Sequence, residues 1–177
     1  MAWSFALGRL LGSELRVHVT FFLLLAWVGF AAYSSGGWHA AIENLIFVLA
    51  LFACVVAHEF GHALMARRFG IKTPDITLLP IGGLARLERM PEKPMQEVWV
   101  ALAGPAVNVA IWLVLVGFGA GMPFETISQI ESANIGMLDR LAYINLLLAA
   151  FNMIPAFPMD GGRVFRALLC LRLDRVT

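Results

Sequence analysis

Polar residues are so sparse along this chain that four long apolar stretches stand out first. Residues 17–33 hold His18 as their only ionisable side chain, and residues 40–65 carry Glu43 near their start and "HEFGH" near their end. Residues 98–124 and 141–159 carry no charge at all. None of the four shows the polar face that a surface helix of a soluble protein needs, and a bilayer core takes about 20 apolar residues in a helix. The pattern predicts an all-α multi-pass membrane protein with about four transmembrane helices. Residues 70–97, between the second and third stretches, are more polar. Within them "ITLLPIGGLA", residues 76–85, is uncharged, β-rich at its start and broken by Pro80, Gly82 and Gly83. It is too short to span. It predicts a small membrane-associated β-hairpin or re-entrant strand lining a cavity, with an ordinary surface hairpin as the alternative.

Composition agrees with the pattern. The chain is 60% hydrophobic and 14% charged over 177 residues, against about 45–50% and about 25% in soluble domains. That length suits one domain. No basic stripe is interleaved with aromatics, so nucleic acid is not an expected partner. Cys54 and Cys170 both lie in apolar segments and make no disulfide framework.

Charge placement adds orientation. Of the 13 cations, Arg9 and Arg16 precede the first stretch, and Arg67, Arg68, Lys72, Arg86, Arg89 and Lys93 separate the second from the third. Arg163, Arg166, Arg172 and Arg175 follow the fourth, which leaves Arg140 alone on the other side. The positive-inside rule then predicts four spans in the cell membrane with both termini cytoplasmic. The chain stops soon after a basic stretch, "RALLCLRLDRVT", which reads as an amphipathic or starting helix and suggests truncation of a longer protein.

The chemistry concentrates at residues 58–62. His58 and His62 are four apart and share one helix face, where two imidazoles can hold one Zn²⁺. Glu59 lies about 100° around the helix and can serve a zinc-activated water as general base. The five-residue pattern also arises by chance on soluble helices. Here it sits in an apolar span, where each ionisable residue costs about 2.5–3.5 kcal/mol on insertion scales and is a functional candidate for that reason. A third ligand is needed. Asp160, in "FNMIPAFPMDGGRVF", is the only acid between Asp139 and Asp174. The topology puts it at the depth of the histidines, near the cytoplasmic side; the alternative is a helix cap at the membrane surface. Cys54, four residues before His58, is assigned to packing. Asn108 and Asn152 are amides in apolar helices. Each could bind substrate backbone or a developing oxyanion, or serve helix packing and capping.

Taken together, "HEFGH", "LAGPAVNV" at residues 102–109 and "NMIPAFPMDGG" resemble the site-2 protease family of intramembrane zinc metalloproteases, over essentially the whole chain. The resemblance implies a transmembrane peptidase domain over 1–177 with a three-helix core in the second to fourth spans. It also implies cleavage of single-span membrane proteins within the lipid bilayer and one zinc per chain. Carried over, His58, His62 and Asp160 match the zinc ligands and Glu59 the catalytic base. The subgroup resembled is the compact bacterial and archaeal type with C-terminal regulatory CBS modules, which are expected to be missing here through truncation. Two other readings use the same residues. One is a metal transporter, which would need several weak serial sites where only one constellation is present. The other is an inactive scaffold binding membrane segments, which would have no need of Glu59.

Overall fold

Two glycines decide the first half of the fold. In the computed structural model, which describes residues 3–80, 82–91, 93–121 and 136–172, α1 (Val19–Arg68) loses helical geometry at Gly36 and Gly37. Gly37 sits at φ 70°, in the left-handed region that only glycine enters freely. The chain reverses there. Phe21 and Phe52 stack edge to face with ring centroids 4.5 Å apart, whereas a straight helix would separate them by about 46 Å. Thus α1 is two antiparallel arms, residues 19–35 and 38–68, over the first two apolar stretches.

A shorter apolar helix, α2 (Pro94–Gly117), follows with proline at its start, where a missing N–H costs nothing. It begins ahead of the expected residue 98; residues 122–124 of that expected span lie outside the described residues. By length and composition, α1 and α2 can cross a membrane. The stretch 141–159 is not one helix. Instead α3 (Met137–Asn152) stops, residues 153–159 are irregular, and α4 (Asp160–Arg172) begins. Pro155 and Pro158 explain the break, since neither can donate to a helical ladder. A side chain at Gly161 would collide with the Met153 carbonyl, and one at Gly162 would stand 2.6 Å from the Ala156 carbonyl oxygen. The glycine pair lets α4 start hard against this linker and so fixes where Asp160 lies.

The N-terminal residues correct the all-α expectation. They form β1 (Ser4–Leu10) and β2 (Ser13–His18), which join β3 (Asp75–Leu79) and β4 (Gly82–Arg86) in one sheet of order β1-β2-β3-β4. The β2–β3 pair is parallel and the others antiparallel. The hairpin expected within 76–85 is β3–β4. Leu11 and Gly12, both at positive φ, make the two-residue turn between β1 and β2. Val17 and Leu78 pack on Phe21 and Phe52, and Ile76 packs on Phe60 and Ala63, so the sheet lies against α1. Among the described residues, β4 is an edge strand with one side unpaired. Burial is inverted relative to a soluble protein: Trp27, Phe30 and Phe118 face outward, while Asn108, Asn145, both motif histidines and Asp160 are buried.

Candidate metal centre

His58 and His62 sit one turn apart on the second arm of α1, as the spacing requires, and both are buried. Asp160 reaches them from the first turn of α4, 98 residues on in the chain. The three ligand atoms form a near-equilateral triangle. His58 Nε2 and His62 Nε2 are 3.0 Å apart, and Asp160 Oδ2 lies 3.2 Å from the first and 3.1 Å from the second. Tetrahedral ligands on a metal with bonds of about 2.0–2.1 Å stand about 3.3 Å from one another. The triangle is slightly tighter than that and closes on one ion.

The hydrogen bonding agrees. His62 Nδ1–H donates to the Val100 carbonyl oxygen at 2.7 Å, which leaves the Nε2 lone pair free for a metal. This is the usual way a ligating histidine is oriented. His58 Nδ1 is buried with no partner among the described residues. A Cβ at Gly104 of α2 would strike His62 Nε2 and stand 2.6 Å from His58 Nε2. Only glycine lets α2 close over the imidazoles there. Among the described residues, His58, His62 and Asp160 are the group able to hold a metal.

Two ion pairs steady the acid's helix. Arg163 Nη1 lies 3.7 Å from Asp160 Oδ1, and Arg166 pairs with the buried Glu97 at the start of α2. The second contact ties α4 to α2 beside the histidines.

Glu59 projects from the same turn into a cavity of about 470 Å³. The cavity is shared with His58, the Gly82–Gly83 end of β4, and both Asn108 and Asn152. A Cβ at Gly83 would strike the Glu59 side chain, so β4 packs closely over it. Asn108 is 1% exposed, and neither its Oδ1 nor its Nδ2 has a partner among the described residues. Such a group costs stability unless something pairs with it. Asn152 ends α3, lines the cavity and donates to the Leu148 carbonyl at 3.0 Å.

Cys54 stands apart from the triangle, packed with Phe47 and Leu141. His18 caps the start of α1. Sequence reasoning passed over Gly104, Glu97 and Asn145, and read Gly83 only as a breaker of the 76–85 stretch. Asn145 is fully buried on α3 and donates to the Leu141 carbonyl; as a third amide in an apolar helix it carried the signal that picked out Asn108 and Asn152.

Fold and site define a class: a helical membrane protein with a potential metal centre built between apolar helices under a small sheet. The profile of Peptidase family M50 matches residues 46–136 and 122–176, and the chain belongs to this family. It is 38% identical over 173 residues to a zinc metalloprotease of Methanocaldococcus jannaschii, covering 96% of this chain and 46% of that one. It is 30% identical over 127 residues to stage IV sporulation protein FB of Bacillus subtilis, covering 71% of this chain and 41% of that protein. The chain thus spans just under half the length of these curated relatives. The solved structure of the site-2 protease from M. jannaschii superposes with a TM-score of 0.68 at 35% identity, over 96% of this chain and 73% of that one.

Proposed function

We propose that the protein is an intramembrane zinc metalloendopeptidase that cuts single-span membrane proteins within the bilayer. The observation that carries this is the convergence of His58, His62 and Asp160 within 3.0–3.2 Å beside Glu59. These three side chains would hold one Zn²⁺. Bound there, zinc supplies Lewis acidity, polarising a carbonyl and lowering the pKa of water from 15.7 to about 7.

Glu59 acts as general base and then general acid. It takes a proton from the attacking water and returns it to the leaving amine nitrogen. Asn108, with both amide atoms unpartnered on the cavity, hydrogen-bonds the substrate backbone or the oxyanion that develops at the cleaved carbonyl. Asn152, across the same cavity, holds the neighbouring backbone. A helical substrate hides its carbonyls in hydrogen bonds and must unwind first. The free edge of β4 beside the cavity suits an added, extended strand.

The bilayer reading follows the same residues. Four spans, counting the two arms of α1, α2 and α3, put Arg140 on the outside and the other cations, with both termini, in the cytoplasm. Arg140 stacks on the Phe47 ring at 4.3 Å, about midway along the second arm between the Gly36–Gly37 reversal and His58, whereas the histidines lie shortly before Arg67 and Arg68 at the arm's cation-rich end. The centre therefore sits toward the cytoplasmic side.

Metal removal is the test. The purified chain should hold one zinc and cleave a single-span substrate. A chelator should abolish cleavage and added zinc restore it. His62→Ala and Asp160→Ala should each lower zinc content sharply. Cleavage that persists in metal-free protein would refute the assignment.

A further inference from the structure

At the cation-rich end of α1, the β1–β2 turn leans over the last turns of the helix. A cleft of about 210 Å³ lies between them. Its helical wall is Phe60, Leu64 and Arg67, which follow at i, i+4 and i+7 and so make one stripe along α1. The stripe is apolar toward the membrane interior and cationic at its end. Opposite it stand Leu11 of the turn, then Lys72 and Thr73 of the segment leading to β3.

Four observations bear on what the cleft holds. No acid lines it. Arg67 and Lys72 are exposed, and neither has a carboxylate partner among the described residues; Arg67 Nη1 donates only to the Leu11 carbonyl oxygen, at 3.2 Å. The Thr73 residue is 6% exposed, and its hydroxyl has no hydrogen-bond partner among the described residues. Lastly, Leu64 is 44% exposed and Leu11 of the turn, which lines the same cleft, is exposed too. The apolar half of the cleft thus continues the outward, lipid-facing surface of the helices. A second cavity with Arg9, Lys72 and Glu88 adjoins it.

We propose that this cleft binds one anionic phospholipid of the cytoplasmic leaflet. Its phosphate lies between Arg67 and Lys72, and an acyl chain runs along Leu64 and Leu11, which are exposed where Phe60 is buried. Two unpaired cations at the head of an apolar stripe complement such a molecule, and basic pockets at the cytoplasmic ends of spans select anionic headgroups. A free phosphate would satisfy the cations but leave the Leu64–Leu11 wall unused. The inference rests on the bilayer orientation proposed above and not on the peptidase chemistry. Lipid bound here would brace the β1–β2 turn against α1, and through β2 and β3 the sheet that carries β4 over the cavity.

Native mass spectrometry of the full chain, released from nanodiscs of phosphatidylcholine with or without phosphatidylglycerol, tests this. Wild type should retain one phosphatidylglycerol and no phosphatidylcholine. Arg67→Gln/Lys72→Gln should lose that retention on the order of tenfold, while the charge-matched Lys93→Gln/Arg172→Gln keeps it. Lys72→Gln alone changes an exposed side chain and should show a partial loss even if the double variant folds poorly. The proposal is overturned by equal retention of phosphatidylcholine, by equal loss in the charge-matched control, or by binding of inorganic phosphate without lipid. Zinc content is read on the same samples. Wild type that holds zinc but no lipid refutes this site alone; wild type that holds lipid but no zinc refutes the peptidase reading alone.

Discussion

At the scale of single residues, the structure brings together the histidine pair and Asp160 that the sequence singles out, residue types and a spacing that the proposed metal ligation would require. What holds them in place was not legible in the sequence. Gly104 matters because α2 crosses α1 at the imidazoles, where a Cβ at Gly61 of α1 would also stand 2.7 Å from the Ala103 carbonyl oxygen. Nothing in "LAGPAVNV" says which small residue meets a ligand; that depends on how two helices rotate about their own axes. Gly104→Ala therefore makes a sharp prediction. The added methyl must displace His62 or His58, so stability should fall by about 1–3 kcal/mol, the usual cost of overpacking. The remaining protein should bind zinc less tightly, measured by chelator competition alongside thermal unfolding in detergent. Unchanged zinc affinity would mean that α2 does not press on the ligands.

At the scale of elements, helices were legible and half of the sheet was not. The break after Asn152 follows from Pro155 and Pro158, because proline's geometry is local. The strands β1 and β2 were missed because "SELRVHV" runs into the apolar arm that follows. Its alternation of Leu15 and Val17 with Glu14 and Arg16 is too short to stand out from a nearby span. Pairing makes it a strand, with β1 on one side and on the other with β3, some 60 residues on and just past the Ser13–Thr73 hydrogen bond. The β3–β4 hairpin was anticipated from its turn residues, and its position over Glu59 gives it a task. Deleting Ile81–Leu84 should leave zinc content intact and abolish cleavage, since the substrate loses the strand it would pair with. A deletion variant that holds zinc and cleaves at the normal rate would remove β-augmentation from the mechanism.

For the whole molecule, the inverted surface and the sorting of cations argue for one orientation in the bilayer. That orientation is proposed from the sequence, because the partition of charged side chains between loops is set by each loop's own composition and not by long-range packing. In a Cys170→Ser background, Ser35→Cys beside the helix reversal should react with a membrane-impermeant maleimide in intact cells. Lys93→Cys should react only after permeabilisation. The opposite pattern would turn the centre toward the wrong face. The whole arrangement brings a polar, metal-ready triangle into an apolar bundle and sets a carboxylate beside it. The role of that carboxylate is the central claim, and one comparison tests it most directly: zinc content and cleavage of a single-span substrate by purified wild type and Glu59→Gln. The amide preserves size and removes the base. We expect zinc content equal to wild type and cleavage lower by about 10²–10⁴-fold, the usual contribution of a positioned general base. Cleavage undiminished in Glu59→Gln would contradict the account.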